Sequence, residues 1–357
     1  MNVSVKSNEL GRALKLCSNA IDPKDAIRSN VSIVAENDYV WLKASNGQYS
    51  IELSCPSEMQ EEGQAVVDCV MAYRCVSKAS GVCKLSSDER HLTIKANGRT
   101  KLSMMPKDVP MLEDTEGQSI TFDSAEFKSA IDKIGYSIGE DQSKMILTGA
   151  HIVTDGFKAE FTGLDGFRLA QTSIDCEGDS VDIVVPSKIL YAICDAIDGD
   201  KITLITDGSH VTVGGNGFKI NAVMLSGKYI DTTRIIPKEF KTNVLVKTAD
   251  IKDLIDSATV ASGSNNLVKL KISQDKVTVL SNSEEVGADF MGDIDAVVNG
   301  DDILIAFNLK YLIQAFNHIG TEQCELKFNQ ATGPAVFSSH KDGAEGIHLI
   351  LPVRVYQ

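Results

Sequence analysis

Apolar and polar residues follow two periods along the chain, and segments of the two kinds alternate. Six segments carry apolar residues three and four positions apart, as amphipathic helices do. In one of them the apolar stripe is formed by Phe127, Ala130, Ile131, Ile134 and Ile138. Between these segments lie runs in which apolar and polar residues alternate one by one, with many β-branched residues, as is typical of strands. The pattern predicts six helices separated by groups of antiparallel strands.

The six predicted helices recur at a regular interval of about 60 residues. Their first residues are Ser7, Asp68, Ser124, Pro186, Thr248 and Asn308. Five of these carry side chains that commonly cap the free backbone N–H groups of a helix, and we expect them to do so here. The helices at 7, 124 and 248 also have an acid in the first turn, which suits the positive end of the helix dipole. The chain is therefore a sixfold repetition of one unit of strands and a helix.

A chain of 357 residues is longer than one hydrophobic core usually supports, so several domains are expected. Taken in pairs, the repeated units give three domains of about 120 residues. Two segments rich in proline and charge, 106–118 and 237–243, are the candidate linkers. We therefore predict an α+β fold with domains at 1–118, 119–242 and 243–357.

Charge is unevenly placed along the chain. The formal net charge is −14 and the isoelectric point about 4.9, which argues against binding to phosphates through the whole surface. The six helical segments together hold nine Lys or Arg and eight Asp or Glu, so the acidity lies elsewhere. A local basic face for nucleic acid stays open. The alternative, that these are ordinary solvated helix faces, stays open as well.

Nothing in the sequence predicts a membrane-bound or secreted protein. No run of 18 apolar residues is present, and the first residues lack an apolar core and a cleavage site. The eight cysteines form no CxxC pair and fit no zinc spacing. We expect reduced, mostly buried thiols in a cytoplasmic protein.

Signatures of catalysis are absent from the sequence. It contains no GxGxxG or P-loop, no HExxH and no GxSxG elbow, and its six histidines are scattered. The run GGNG at 214–217 predicts a turn between strands. Asp165, beside Arg168, has the chemistry of a general acid or base, but an Asp-Gly pair between strands is more often a turn. We therefore expect no enzyme, no metal and no cofactor.

The segment around Asp165 has counterparts elsewhere in the chain. The repeat places 161–173 at the same position as 43–54 and 279–290, which indicates a structural origin for this loop. Only the middle copy carries Phe-Arg-Leu after its glycine. That asymmetry calls for a functional explanation.

Four motifs, in this order, resemble those of one known family. They are LDGFRLA at 164–170, RIIP at 234–237, FNLKY at 307–311 and LPVRV at 351–355. The first is similar to a TDGHRLA-like run, and the last to an MPMR-like tail, of the bacterial DNA polymerase III beta subunits, or sliding clamps. The resemblance covers the whole length of the chain.

The resemblance implies a ring that does no chemistry of its own. Two three-domain chains would join head to tail as a homodimer, each domain made of two β-α-β-β-β halves, with helices lining a hole and antiparallel sheets outside. Double-stranded DNA would be enclosed by topology, without base readout, and the clamp would tether the replicative polymerase for processive synthesis. We expect the protein in the cytoplasm, associated with the nucleoid.

The resemblance also indicates which basic residues face DNA. Most lie on the polar sides of the predicted helices, and two match loop positions that touch DNA in the family. Weak, exchangeable contacts to phosphates would keep the duplex centred yet mobile. The predicted DNA-facing residues are Arg12, Lys15, Lys24, Arg74, Lys78, Lys128, Lys133, Lys144, Lys188, Lys252 and Lys310.

Members of the family bind short linear motifs that contain Gln and Leu or Phe, in a pocket between their second and third domains. The implied partners are the DNA polymerase III alpha subunit, the clamp-loader delta subunit and other polymerases or repair proteins. An apolar groove with a few polar groups suits such a motif. Carried over by position, the pocket comprises Leu147, Leu164, Gly166, Phe167, Arg168, Leu169, Ile230, Arg234, Ile235, Asn308, Tyr311, Pro334, Ala335, Val336, Ile350, Leu351, Pro352, Val353 and Arg354.

Departures from the family pattern fall in this pocket. Leu164 and Phe167 stand where the family usually has Thr and His, and Ile230 stands where a Pro is common. We therefore expect a more apolar pocket with a different motif preference. The chain also continues as Val355-Tyr356-Gln357, whose tyrosine is a candidate to cover or extend the groove.

The family positions for the contact between two copies fall on Leu102, Met104, Val260 and Ala261. Apolar residues there are equally compatible with packing inside one chain. Two other interpretations of the whole chain stay open: a repeat-built interaction scaffold without DNA encirclement, and an enzyme hidden in a β-rich fold. The lack of converging chemical groups argues against the enzyme, and the four motifs argue against the scaffold.

Overall fold

The computed structural model describes residues 1–340 and 346–354. These residues contain the six predicted helices, each beginning within one residue of its predicted start. The helices are α1 (Ser7–Asn19), α2 (Cys69–Val76), α3 (Ser124–Gly135), α4 (Ser187–Ala196), α5 (Thr248–Ser257) and α6 (Leu309–Asn317). None of the helices in the described part of the chain is long and apolar enough to cross a membrane.

Antiparallel strands make up most of the remaining structure. In chain order they are β1 (Asn2–Lys6), β2 (Asn30–Glu36), β3 (Tyr39–Ser45), β4 (Tyr49–Glu61), β5 (Gly63–Asp68), β6 (Val82–Ser87), β7 (His91–Lys95), β8 (Arg99–Ser103), β9 (Gln118–Asp123), β10 (Gly149–Thr154), β11 (Lys158–Leu164), β12 (Arg168–Asp175), β13 (Glu177–Gly178), β14 (Val181–Pro186), β15 (Lys201–Thr206), β16 (His210–Gly215), β17 (Phe218–Val223), β18 (Thr242–Lys247), β19 (Leu267–Ser273), β20 (Lys276–Ser283), β21 (Ala288–Asp295), β22 (Val297–Asn299), β23 (Ile303–Asn308), β24 (Gln323–Phe328), β25 (Ala335–Ser339) and β26 (Ile347–Ile350). Apart from the short β13 and β22, the order strand, helix, three strands occurs six times. The predicted α+β fold with β-α-β-β-β halves is confirmed.

Two compact units can be distinguished in the chain. The first comprises Met1–Lys128, Thr154–Lys158 and Asp175–Ser226, and its main sheet has the order β13-β9-β15-β16-β17-β4-β1-β6-β7-β8. The second comprises Ser129–Val153, Ala159–Ile174 and the chain from Gly227 onward. It holds the order β10-β11-β12-β26-β25-β24-β18-β22 and a separate sheet β21-β20-β19-β23. The domain boundaries at 118 and 242 stay a prediction.

One pairing rule recurs between successive repeats of about 120 residues, each of which contains two of the six smaller units. Strand β17, the last of the second repeat, pairs with β4 of the first, and β26, the last of the third, pairs with β12 of the second. The flanking backbone bonds also match, because the N–H of Val223 donates to the oxygen of Gln48 and that of Leu351 to the oxygen of Phe167, both over 2.9 Å. Strands β8 and β21 hold the corresponding places in the first and third repeats. Each ends its sheet, and among the described residues β8 pairs only with β7 and β21 only with β20.

Part of the capping prediction is wrong at the first residues of α1, α3 and α5. Strands β1, β9 and β18 run directly into their helices, so the hydroxyl residue lies one position too late to cap and is buried instead. Its backbone N–H donates to a carbonyl oxygen of a neighbouring turn: Ser7 to Gly81 (2.9 Å), Ser124 to Asp200 (2.8 Å) and Thr248 to Glu322 (2.9 Å). Asp123 caps α3. The caps predicted at Asp68 and Asn308 are confirmed.

The cysteine prediction is confirmed as far as burial is concerned. All eight are free thiols, and six of them are buried. Burial raises the pKa of Cys55 and Cys69 to about 12, and the pKa of Cys83 and Cys324 to about 11. At neutral pH these thiols stay protonated and act as small apolar groups.

The core of the second unit fixes α6 against its sheet. Phe307, Phe316 and Phe328 surround Phe337, with ring centroids 5.9, 5.3 and 6.2 Å from it. Since Phe316 lies on the buried face of α6, the residues on the neighbouring face of this helix are held in a defined position.

A buried polar pair lies beside this core. Tyr136, just after α3, forms a hydrogen bond of 2.8 Å between its hydroxyl oxygen and Nδ1 of His348 on β26. Its ring also stacks on His318, with centroids 4.8 Å apart. Burial, with smaller contributions from the charges of His318 and Lys133, lowers the pKa of His348 to about 3. The imidazole of His348 is therefore neutral in the folded protein at neutral pH.

Replacing Gly300 tests the backbone constraint before β23. Gly300 has φ +128°, and a Cβ there would lie 2.0 Å from the oxygen of Lys241. We expect Gly300→Ala to lower the free energy of unfolding by about 3 kcal/mol. Gly320→Ala is the matched control, because a Cβ at Gly320 has no neighbour within 4 Å. Chemical denaturation of both variants measures the difference, and equal stabilities would contradict the assignment.

Titration of His348 gives a second prediction. Because its pKa falls from 6.5 to about 3 on folding, only the unfolded chain gains this proton between those two pH values. This contribution destabilises the fold as pH drops below 6.5, by about 1.4 kcal/mol per unit. His348→Asn keeps a hydrogen-bonding partner for Tyr136 and does not titrate, so its stability should fall less steeply between pH 6.5 and 4. Parallel stability curves from urea denaturation would rule this out.

Candidate functional site

The turn between β11 and β12 is shaped by Asp165. Its Oδ1 accepts hydrogen bonds from the backbone N–H groups of Phe167 (2.8 Å) and Arg168 (3.0 Å). Gly166 has φ +96°, a conformation that favours glycine. The first repeat has the same turn, because Oδ1 of Asn46 accepts from Gln48 N–H (2.9 Å) and from the next N–H. Asp165 is thus a turn residue, in agreement with the sequence-based interpretation.

A second Asp-Gly-Phe turn shows that local sequence alone does not make the site. Oδ1 of Asp155 accepts from the N–H groups of Phe157 (3.0 Å) and Lys158 (2.9 Å), and Phe157 is exposed. What distinguishes the turn at Asp165 is its surroundings in the second unit, above all the residue Arg168 and its contacts.

Arg168 is enclosed by polar and aromatic groups. Its guanidinium carbon lies 4.4 Å from the ring centroid of Tyr311 and 5.1 Å from that of Tyr136. Its Nε donates to Oδ2 of Asp165 over 2.9 Å, with the two side chains 11% and 16% exposed. Its Nη1 donates to Oε1 of Gln314. Planar guanidinium groups stack well on aromatic rings, so Arg168 joins β12, α6 and the end of α3.

An apolar surface lies next to this arginine. Phe167 is 58% exposed, and its ring centroid lies 6.5 Å from that of Tyr311. Beyond β26, Leu351 and Val353 are 39% and 41% exposed. Their positions are fixed by backbone bonds, from Leu351 N–H to the oxygen of Phe167 (2.9 Å) and from Val353 N–H to the oxygen of Ala306 (2.8 Å). The surface combines exposed apolar side chains with a rigid backbone, which suits an extended peptide.

Several predicted pocket residues support this surface from below and are closed to solvent. The buried members are Leu147, Leu164, Leu169, Ala335, Val336 and Ile350. Ile350 pairs with both Arg168 on β12 and Ala335 on β25. Asn308 caps α6 through its Oδ1, which accepts from Lys310 N–H. Pro334 and Pro352 are half-buried, and Arg354 is exposed.

The remaining predicted pocket residues are not joined to the Phe167 turn by a hydrogen bond or ring contact in the described part of the chain. Ile230 is 41% exposed and Ile235 is half-buried. Arg234 is 86% exposed and pairs with Asp231 over 3.0 Å in a short 3-10 turn. Residues 355–357, including the predicted cover Tyr356, lie outside the described residues.

Sequence reasoning missed Tyr136 and Gln314, which contact Arg168, and His348, which is hydrogen-bonded to Tyr136. Gln314 lies three positions after Tyr311 on α6, a spacing that places both on one helix face, so this signal was present in the sequence. Tyr136 and His348 are far apart in the chain, and no local pattern links them. The arrangement can bind and orient a ligand, but it brings together no nucleophile with a base, and the described residues contain no cluster suited to a metal.

The predicted DNA-facing residues are mostly open to solvent. Nine of the eleven are exposed, whereas Lys133 and Lys252 are half-buried. Some are engaged within the chain: Arg12 donates to the oxygen of Asp195 (2.8 Å), Lys128 donates to the oxygen of Ile197 (3.3 Å), and the ammonium of Lys188 lies 5.3 Å from the ring centroid of Tyr49.

The predicted contact residues between copies lie on or beside the two edge strands. Leu102, on β8, is 8% exposed, and Met104, just after it, is half-buried. Val260 is 69% exposed, while Ala261 is fully buried. Both belong to the short 3-10 helix Ala258–Ala261, which packs on β21.

Comparison with known proteins identifies the family. The model described as the central domain of the DNA polymerase III beta subunit matches residues 121–231, and the model of its C-terminal domain matches 233–354. A beta sliding clamp of Streptococcus pneumoniae (strain ATCC BAA-255 / R6) is 26% identical, covering 99% of both chains.

Solved structures give the same result. The beta subunit from the DNA polymerase of Streptococcus pyogenes is 26% identical with a TM-score of 0.89, covering 99% of this chain and 100% of that one. The DNA polymerase III beta subunit from Thermotoga maritima, at 20% identity and a TM-score of 0.91 over 99% of this chain and 100% of that one, shares the fold. Since successive family models and end-to-end relatives agree, the chain belongs to the family of DNA polymerase III beta subunits, the beta sliding clamps.

Proposed function

We propose that two copies of this chain join head to tail into a ring that encircles duplex DNA and tethers a replicative polymerase. The observation that carries the proposal is the pairing rule between repeats. Within the chain, the rule is satisfied twice, by β17 with β4 and by β26 with β12. The third pair would join β8 of the first repeat to β21 of the third. Neither of these two strands is paired with the other, and each has one edge that no described strand covers. A second copy would supply it, and the contact would occur twice to close a ring.

The charges of the two edges support this contact. Strand β8 exposes Arg99 and Lys101. Strand β21 exposes Asp289 and Asp293, with Met291 74% exposed between them, and Asp293 also pairs with Lys276 of β20 over 2.8 Å. An unpaired strand edge is a template for pairing with another chain, and opposite charges select the right partner. The predicted residues Leu102 and Val260 lie on or beside these edges.

Enclosure by the ring would hold DNA without strong contacts. The exposed basic residues of the helices would meet the phosphates, while the overall net charge of −14 disfavours adhesion elsewhere. We expect no base readout and no chemistry by the clamp itself. Its place of action would be the nucleoid in the cytoplasm.

The surface formed by Phe167, Tyr311, Leu351 and Val353 is the proposed partner pocket. A short peptide with apolar side chains would bury its leucine or phenylalanine there, while backbone groups fix its direction. The proposed partners are the polymerase III alpha subunit, the clamp-loader delta subunit and other polymerases or repair proteins. The end-to-end match with sliding clamps favours this function over a scaffold without DNA.

Charge reversal at the edges tests ring closure. We expect Arg99→Glu with Lys101→Glu to repel β21, and Asp289→Lys with Asp293→Lys to repel β8, so each double variant should run as a 38.6 kDa monomer in gel filtration. An equal mixture restores opposite charges at both contacts and should run at twice that mass. If both double variants still ran as dimers, as the wild type is expected to do, the edge assignment would be contradicted.

The same variants test retention on DNA. Wild-type protein loaded on circular duplex DNA should stay bound at moderate salt and leave when the circle is cut, because it is held by topology and not by ionic contacts. Either double variant alone should not be retained. Equal retention on cut and closed DNA would show adhesion instead of enclosure.

Truncating one aromatic residue tests the pocket. Phe167→Ala should weaken binding of a fluorescein-labelled peptide, carrying one glutamine ahead of a leucine and a phenylalanine, by about tenfold in fluorescence polarisation. Phe157→Ala is the matched control, since Phe157 occupies the same kind of turn and is 82% exposed. Equal losses in the two variants would remove the pocket assignment.

A further inference from the structure

Arg168 belongs to the Phe167 turn and also contacts α6 and the residue after α3. Its own backbone pairs with Ile350 on β26, its side chain lies between Tyr136 and Tyr311, and Gln314 accepts from its Nη1. Phe167, the exposed ring of the pocket, is its immediate neighbour in sequence. This one side chain therefore connects the Phe167 turn to α6.

Two histidines, His318 and His348, contact the residues that surround Arg168. His318 Nδ1 lies 2.7 Å from the backbone oxygen of Gln314, and the His318 ring stacks on Tyr136 at 4.8 Å. Tyr136 is anchored in turn by its hydrogen bond to His348. Gln314, His318, Tyr136 and His348 are thus joined by successive contacts, and the groups around Arg168 support one another.

The equivalent place in the first repeat lacks this arrangement. Tyr49 stands where Arg168 stands, since it pairs with Ala222 as Arg168 pairs with Ile350. Tyr49 is 2% exposed, and its hydroxyl donates to the oxygen of Asn19. The same backbone junction is thus present twice, but the braced arginine occurs only at the proposed pocket.

We propose that Gln314 and Tyr136 are positioning residues of the partner pocket. They hold the guanidinium of Arg168 beside the Tyr136 and Tyr311 rings and so fix the distance between Phe167 and Tyr311 before a peptide arrives. The inference rests on the proposed function, because it concerns the affinity of that same pocket. Fixing a binding surface in advance raises affinity by lowering the ordering cost of binding.

The contacts of Gln314 and Tyr136 with Arg168, called the brace below, do not depend on a free charge on the arginine. Asp165 neutralises it at 2.9 Å in a site where both side chains are largely buried. The brace therefore works through geometry, by hydrogen bonding and ring stacking, and a carboxylate in place of the Gln314 amide would accept the same N–H bond. A methyl group in its place would not.

The experiment measures the dissociation constant of the labelled peptide that carries glutamine, leucine and phenylalanine, with full-length variants. We expect Gln314→Ala to bind about tenfold more weakly, and Gln314→Glu to bind within about twofold of the wild type. Gln323→Ala, an exposed glutamine on β24 of the same unit, is the control and should bind like the wild type. Loss of affinity with alanine and its recovery with glutamate would show that the side chain at position 314 acts by accepting the N–H bond of Arg168.

Tyr136 separates affinity from stability. Tyr136→Phe keeps the ring beside Arg168 but removes the hydrogen bond to Nδ1 of His348 that anchors it, so it should lower the melting temperature and weaken peptide binding less than Tyr136→Leu does. Tyr136→Leu should lose about tenfold in affinity. If Gln314→Ala binds as tightly as the wild type, the inference is overturned and the pocket stands. If the wild type itself does not bind the peptide, the proposed pocket fails and the inference with it.

Discussion

Pairing between the edge strands of successive repeats is the interaction on which the rest of this structure depends. Backbone pairing of β17 with β4, and of β26 with β12, extends the sheets across two junctions. Unpaired backbone groups at a sheet edge are costly in a buried setting and invite association in an exposed one. With three repeats and two internal junctions, one pair of complementary edges remains. The proposed assembly of two chains would cover both of these edges.

The proposed partner pocket lies at one of these junctions. Pairing of β12 with β26 brings the turn before β12 against the residues that follow β26, so Phe167 and Leu351 become neighbours although they are far apart in sequence. The other junction has the same backbone arrangement, yet it carries a buried tyrosine, Tyr49, in place of Arg168. Function therefore depends on a few side chains added to a repeated backbone design, which is the general relation between folds and sites.

Sequence periodicity was sufficient for the elements, because burial on one face imposes a period of 3.6 or 2 whatever the rest of the chain does. It placed the starts of all six helices within one residue. It failed at the caps, since Ser7 and its equivalents are one position too late to cap and are buried by the strand that enters the helix. The resemblance to sliding clamps placed Phe167, Arg168 and Tyr311 in one pocket. It could not supply Tyr136 or Gln314, because contacts between distant segments leave no periodic trace.

The central claim is that the two free edges close a ring, and the shape of the purified protein tests it most directly. Electron microscopy of single particles at low resolution should show closed rings of two copies with a central hole wide enough for duplex DNA. Compact monomers, or open chains of copies joined edge to edge, would contradict the account.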